Sequence, residues 1–270
     1  MNRPPLHLFA YQGREFSIGD LIKALTALGI KPEDRLFVHS DLRSFGKVNP
    51  QISQEDYPKA FVDALTRIVG ENGTIIMPTF SYSFCRGEIY DPRETASTVG
   101  SLTEYFRQLP GVERTIDPIF SVAIWGAGQE FYQRVGSNCF GQDSIFQKIY
   151  DADFKILFLG ETFALTFLHF IEQDMGVPYR YIKRFTGKIK VGSQLAMHAF
   201  DYYVRDLNQD PCYNLERIAD CLKNGGFLHE VALGFSKIRV VGAGDAYKTI
   251  AQILRKDRRG LLARGKSKNV

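Results

Sequence analysis

The chain has 270 residues, of which 44% are hydrophobic and 24% charged, and its 21 Phe and 13 Tyr supply a substantial core; this is the composition of a folded soluble protein, not of a disordered or fibrous one. The formal charge is +4, but Arg255, Lys256, Arg258, Arg259, Arg264, Lys266 and Lys268 crowd the last sixteen positions, so the rest is slightly acidic and no nucleic-acid partner is expected. Cys85, Cys139, Cys212 and Cys221 show no CxxC spacing, no apolar run reaches about eighteen residues, and no charged-then-apolar leader opens the chain. Free thiols, a cytoplasmic location and no membrane span are the expectations.

Residues 1–16 read as an arm anchored by Phe9, Tyr11 and Phe16. Ser17 caps a helix, with Asp20 at the capping-box position and Leu21, Ile22, Leu25 and Leu28 as its apolar stripe, and Gly29 ends it. A short apolar strand follows over 35–40. Ser53 caps a second helix, and 73–78 is a second strand stopped by Pro78. Continuous apolar strands alternating with helices are the pattern of a parallel sheet covered on both faces. Ligands collect beyond the carboxyl ends of such strands, which here carry His39-Ser40-Asp41 and Thr79-Phe80-Ser81.

Residues 82–100 form a long aromatic loop, of the length that often serves function. A helix over 100–109, a turn at 114–118, a strand over 120–126, a short helix over 145–150 and a strand over 155–159 come next. The stretch Thr162–Met175 is free of Gly and Pro and reads as a helix capped by Thr162, buried because Phe167, Leu168, Phe170, Ile171 and Met175 cover most of its circumference. Beyond Pro178, residues 179–191 and 194–205 read as antiparallel strands, with a bend at Gly187. A helix over 215–222, a second hairpin over 227–241 and a helix over 246–255 complete the chain. The expected fold is α/β, with a central mostly parallel sheet, helices on both faces and a smaller appended antiparallel sheet. It forms one domain over 1–270, with 178–241 as the appended β-rich part and 256–270 as a basic tail.

His169 and Glu172 stand at i and i+3 on the polar stripe of the 162–175 helix. They are either a core pair that supports packing or a general base with its partner, and spacing alone leaves both open. His7, His39, His198 and His229 sit where structural or surface roles are the simpler reading. No HxH, HExxH or Cys/His cluster points to a metal. GxSxG, GxGxxG and GxxxxGK[ST] are absent, and Gly242-Ala243-Gly244-Asp245 reads as a turn. Cys85 or Cys139 with His169 gives a second chemistry, a thiol-dependent amide hydrolase.

Five stretches, in order and at fitting separations over about residues 17–185, resemble the aminoglycoside 3-N-acetyltransferase family. They are residues 38–42, 73–81, 99–107, 110–121 and 166–172. The resemblance implies an acyl-CoA-dependent N-acyltransferase, with acetyl-CoA or another acyl-CoA as co-substrate and no metal. It implies His169 as general base and Glu172 toward the acceptor amine. His39, Ser40, Asp41, Thr79, Ser81 and Ser121 would line the thioester and pantetheine pocket, with Ser40, Thr79 or Ser81 supplying oxyanion donors. Thr166, Asp143, Tyr179 and Arg180 are placed with the acceptor. Many members carry His where this chain has Asp117-Pro118, and Tyr179-Arg180-Tyr181-Ile182-Lys183-Arg184 is aromatic and basic. A basic rim suits an anionic acceptor, so the expectation is an amino sugar linked to a nucleotide or lipid for surface polysaccharide synthesis, with an aminoglycoside antibiotic as the alternative acceptor. The oligomeric state stays open between monomer and homodimer.

Overall fold

The computed structural model describes residues 7–161, 163–206, 208 and 212–263. In the described part of the arm, β1 (His7–Tyr11) and β2 (Arg14–Ser17) form a hairpin. Ser17 then caps α1 (Ile18–Ala27), its Oγ accepting the Asp20 N–H while the Asp20 carboxylate accepts the Ser17 N–H at 2.9 Å. The expected capping box is thus formed in full. β3 (Arg35–Ser40) leads to β4 (Lys47–Val48), which adds to β1 and completes a small three-stranded sheet. Ahead of α2 (Asp56–Val69), Ser53 Oγ accepts the Asp56 N–H at 2.9 Å.

The main sheet is built from β3, β5 (Thr74–Pro78), β6 (Glu113–Arg114), β7 (Val122–Gly126), β8 (Lys155–Leu159), β11 (His229–Leu233) and β12 (Ser236–Gly242), in the order β11-β12-β8-β3-β5-β7-β6. β3 pairs in parallel with β8 and with β5, and every other ladder in this sheet is antiparallel. The α/β class with a large sheet holds, and its parallel part is confined to the three central strands. The hairpin over 227–241 lies on the edge of this sheet, through β12–β8 pairing, and not in the appended one.

Alternation along the central strands sends side chains to two cores. Leu36, Val38, Ile75 and Met77 meet α1, α2 and α3 (Ser101–Arg107) on one face. Phe37, Ile76, Ile124, Ile156 and Phe158 face the other core, with residues of α4 (Gln129–Gln133), α5 (Ile145–Asp151), α6 (Leu168–Met175), α7 (Leu215–Asn224) and α8 (Ala243–Lys256). Helices therefore cover both faces, as the strand pattern requires.

The separate antiparallel sheet is a two-stranded ribbon of β9 (Arg180–Val191) and β10 (Gln194–Arg205). Gly187 makes no bend. A Cβ there would come within 2.7 Å of the Phe84 ring, so glycine lets the 82–100 loop lie against the ribbon. That loop is further tied by Tyr90, whose N–H donates to Lys188 O and whose carbonyl accepts the Lys190 N–H. Among the described residues no helix is long and apolar enough to cross a membrane, and no group of three His, Cys, Asp or Glu could hold a metal ion. Of the basic tail, Arg264, Lys266 and Lys268 lie outside the described residues.

Candidate active site

The expected 162–175 helix is shorter than its sequence pattern. Thr162, the expected cap, lies outside the described residues; residues 163–167 form turns, and α6 starts at Leu168 with no side-chain cap. Eight helical residues are enough to hold the i, i+3 pair. His169 Nδ1 lies 2.9 Å from Glu172 Oε2. The His169 side chain keeps 19% of its surface accessible, while that of Glu172 is sealed at 0%. Glu172 is therefore a buried carboxylate and must be met by donors. Tyr179 Oη donates to Oε1 at 2.9 Å, Tyr213 Oη lies 2.7 and 2.8 Å from the two oxygens, and Arg180 Nε is 2.8 Å from Oε2.

The sequence places Tyr179 and Arg180 on the acceptor rim, and the structure corrects both. Tyr179 is fully buried, and the Arg180 side chain is 3% exposed. The reason is the carboxylate: a buried Glu172 draws the nearest guanidinium inward, where Nη1 also donates to Tyr203 O at 2.7 Å. Arg184 bridges Asp201 at 2.8 Å, and Lys183 lies over the Phe185 ring. The basic rim is therefore largely committed within the protein. Tyr213 was not singled out by the sequence, because nothing local marks a residue whose partners are 33 and 41 positions away. It is set in place by backbone pairing of 212–214 with 261–263, with Asn214 N–H on Leu261 O and Ala263 N–H on Cys212 O.

The electrostatics follow from this packing. Burial lowers the His169 proton affinity below the usual histidine value, the Glu172 hydrogen bond opposes this, and the charge of Arg180 adds to it. The ring is neutral at pH 7. Glu172 is held below the usual carboxylate range despite its burial, by His169, Arg180 and Tyr213. Tyr179 and Tyr213 are raised by burial and by the Glu172 charge, and remain protonated donors.

A cavity of about 370 Å³ opens at the carboxyl ends of β3 and β5. His39, Ser40, Asp41 and Thr166 line it, with Pro78, Phe80 and Tyr82 among its walls. Thr166 is one turn ahead of His169, whose N–H donates to the Thr166 carbonyl at 3.0 Å. Its lining is mixed, with apolar walls and a few polar groups, as in small-molecule sites. Gly160, at the end of β8, closes the junction with φ +113°; a Cβ there would fall 2.4 Å from Asp41 O. His39 stacks on Phe158 and is nearly fully buried, which lowers its proton affinity to about 3. It is neutral, and its Nε2 has no protein partner.

The other expected pocket residues lie behind this wall. Thr79, Ser81 and Ser121 are fully buried, and none of the three lines the cavity. Arg114 Nε donates to Thr79 Oγ1 at 3.0 Å, Ser121 Oγ donates to Thr79 O at 2.7 Å, and Ser81 Oγ donates to Pro118 O at 2.9 Å. These hydroxyls satisfy backbone and a buried guanidinium, so Ser40 alone of the three expected oxyanion donors reaches the cavity. Asp143 is exposed at the turn into α5, with φ +62°, and lines no part of the cavity.

Neither candidate thiol is activated. Cys139 is buried and donates to Asp117 Oδ1 at 3.7 Å, and burial together with that carboxylate raises its proton affinity well above the usual thiol value. Burial raises Cys85 as well. Neither is a thiolate at neutral pH.

Residues 37–255 match a family model described as aminoglycoside 3-N-acetyltransferase. The chain is 29% identical over 251 residues to aminoglycoside N(3)-acetyltransferase IV from a Salmonella species, covering 90% of this chain and 89% of that protein. It is 29% identical over 188 residues to the SPbeta prophage-derived aminoglycoside N(3')-acetyltransferase-like protein YokD of Bacillus subtilis, covering 58% and 64%. Among solved structures it is similar to a mutant of aminoglycoside acetyltransferase AAC(3)-IVa in complex with apramycin, with TM-score 0.71, 27% identity and coverage of 89% and 92%. The fold also matches AAC-IIIb bound to CoASH, with TM-score 0.76, 21% identity and coverage of 92% and 98%.

Proposed function

Because the chain belongs to the aminoglycoside 3-N-acetyltransferase family, we propose that it transfers an acetyl group from acetyl-CoA to an amine of an aminoglycoside-type amino sugar, with His169 as general base. The observation that carries this reading is the pair itself. A neutral, partly exposed imidazole is held at 2.9 Å by a buried carboxylate, one turn from a cavity at the strand ends.

The acceptor arrives as an ammonium and attacks only as an amine. The ammonium gives its first proton to solvent; as the amine attacks, His169 takes a second proton from the nitrogen, Glu172 stabilises the imidazolium that forms, and the new amide bond replaces the thioester bond. The departing sulfur recovers a proton from the same imidazolium. Ser40 supports the oxyanion from the cavity wall. No covalent enzyme intermediate is needed.

The inward turn of Arg180 removes the argument for an anionic acceptor. With Arg184 paired to Asp201, little is left to recognise a nucleotide or lipid phosphate at this rim. The relatives named for aminoglycosides favour the polyamine acceptor instead. The test is release of CoA thiol from acetyl-CoA with a panel of aminoglycosides, compared with nucleotide-linked amino sugars. Turnover with the nucleotide-linked sugars alone would overturn the acceptor class.

A further inference from the structure

The Tyr213 hydroxyl sits among the polar groups that hold His169. It donates to Glu172 and accepts from Arg180, at 2.5 Å from Nη2 and 3.2 Å from Nε. The same Nη2 is 3.0 Å from His169 Nδ1, and Nδ1 is 2.9 Å from Glu172 Oε2. A neutral imidazole carries one N–H. Nδ1 either donates to the carboxylate, which leaves Nε2 as an open base, or accepts from Arg180, which places the proton on Nε2 and removes the base. Two tautomers thus compete over one atom.

We propose that Tyr213 is a positioning residue: by drawing Arg180 Nη2 onto its own hydroxyl, it keeps the neutral ring of His169 in the Nδ1–H tautomer, directed at Glu172. Of the Nη2 contacts to the ring and to the phenol, the one to Tyr213 is the shorter, at 2.5 Å against 3.0 Å. This inference rests on His169 being the base.

The surroundings leave the ring as the group that changes. On its own helix it faces Glu172, which is ionised. From the start of β9 comes Arg180, and from the residue before that strand Tyr179, on the other carboxylate oxygen; Arg259 lies over the Tyr179 ring. From β10 come Arg205, which adds positive charge, Tyr203, whose carbonyl holds Arg180, and Tyr202, whose phenol also bonds Arg180 and is kept protonated by burial. Phe140 packs edge-on against the ring and carries no charge.

The experiment is ¹⁵N–¹H long-range correlation NMR of imidazole nitrogens in the full chain at neutral pH, read beside kcat and KM. Wild type is expected to show Nδ1–H at His169. Tyr213→Phe is expected to move the ring toward Nε2–H and to lower kcat about tenfold, with KM for acetyl-CoA nearly unchanged. Adding Arg180→Lys removes the competing Nη2 and returns the ring to Nδ1–H, with kcat partly recovered. The wild-type tautomer is read without any variant, so the proposal stays falsifiable if Tyr213→Phe does not fold. Nε2–H in wild type, or Nδ1–H in a folded Tyr213→Phe, overturns it. A tautomer change without loss of turnover upholds the role of Tyr213 and overturns only the assignment of the base.

Discussion

His169 and Glu172 meet at 2.9 Å across a single turn of α6, yet one ring is 19% accessible and the other side chain is sealed. That asymmetry separates the pair: the histidine keeps an open edge, and the glutamate meets only the protein. His169→Asn is expected to lower kcat by roughly 10²–10⁴-fold with the thermal unfolding midpoint nearly unchanged. Thiol release and a melting curve on the same preparation check it.

Glu172→Gln has a different signature. It leaves the Arg180 guanidinium buried beside a neutral amide, so it is expected to cost about 3–5 kcal/mol of stability as well as activity. Chemical denaturation measures the first, and a Glu172→Gln protein as stable as wild type would show that the carboxylate does not anchor Arg180.

The pH dependence follows from the lowered proton affinity of His169. The proposed base works only when deprotonated, so activity is expected to fall as pH drops through its folded-state value. That value is below the usual histidine range, so the acid limb of kcat is expected below pH about 6.5, with a plateau through neutrality. A limb centred above pH 7 would mean that Glu172 outweighs burial and Arg180.

His39 makes a separate prediction about stability. Its pKa drops from the ordinary 6.5 to about 3 on folding, because burial disfavours the charged ring. The unfolded chain therefore binds more protons between these values. Stability is complete above pH 6.5 and falls as pH drops toward 3, by up to about 5 kcal/mol at 1.36 kcal/mol per unit. His39→Leu is expected to flatten the acid side of a denaturation series, and an unchanged acid slope would contradict it.

The buried hydroxyls separate structure from chemistry. Ser121→Ala leaves Thr79 O with one donor fewer and is expected to cost about 1 kcal/mol with little change in kcat. Ser40→Ala is expected to lower kcat while leaving the unfolding midpoint in place, because Ser40 lines the cavity. The reverse pattern in kinetics and melting would return the oxyanion role to the buried set.

What was legible in the sequence was local. The Ser17–Asp20 box and the His169–Glu172 pair each depend on three-residue spacing, which a helix fixes by itself. The direction of β7 was not legible: an apolar run reads the same in either direction, and its antiparallel pairing with β5 is decided by how the chain returns. The roles of Thr79, Ser81 and Ser121 were misread because the groups that occupy them, Arg114 and the Pro118 carbonyl among them, lie 35 to 42 positions away or are backbone. Arg180 looked like a surface charge for the same reason: the carboxylate and phenol that turn it inward come from separate elements.

The backbone bonds joining 212–214 to 261–263 give residues far along the sequence a hold on the Tyr213 phenol. A protease nick or a shortened chain that removes Leu261 would unlatch the phenol resting on Glu172 while the main sheet, whose last strand ends at Gly242, stays closed. Such a protein would melt as a folded molecule and turn over poorly, so the carboxyl end of any expressed version deserves checking by mass before its activity is compared.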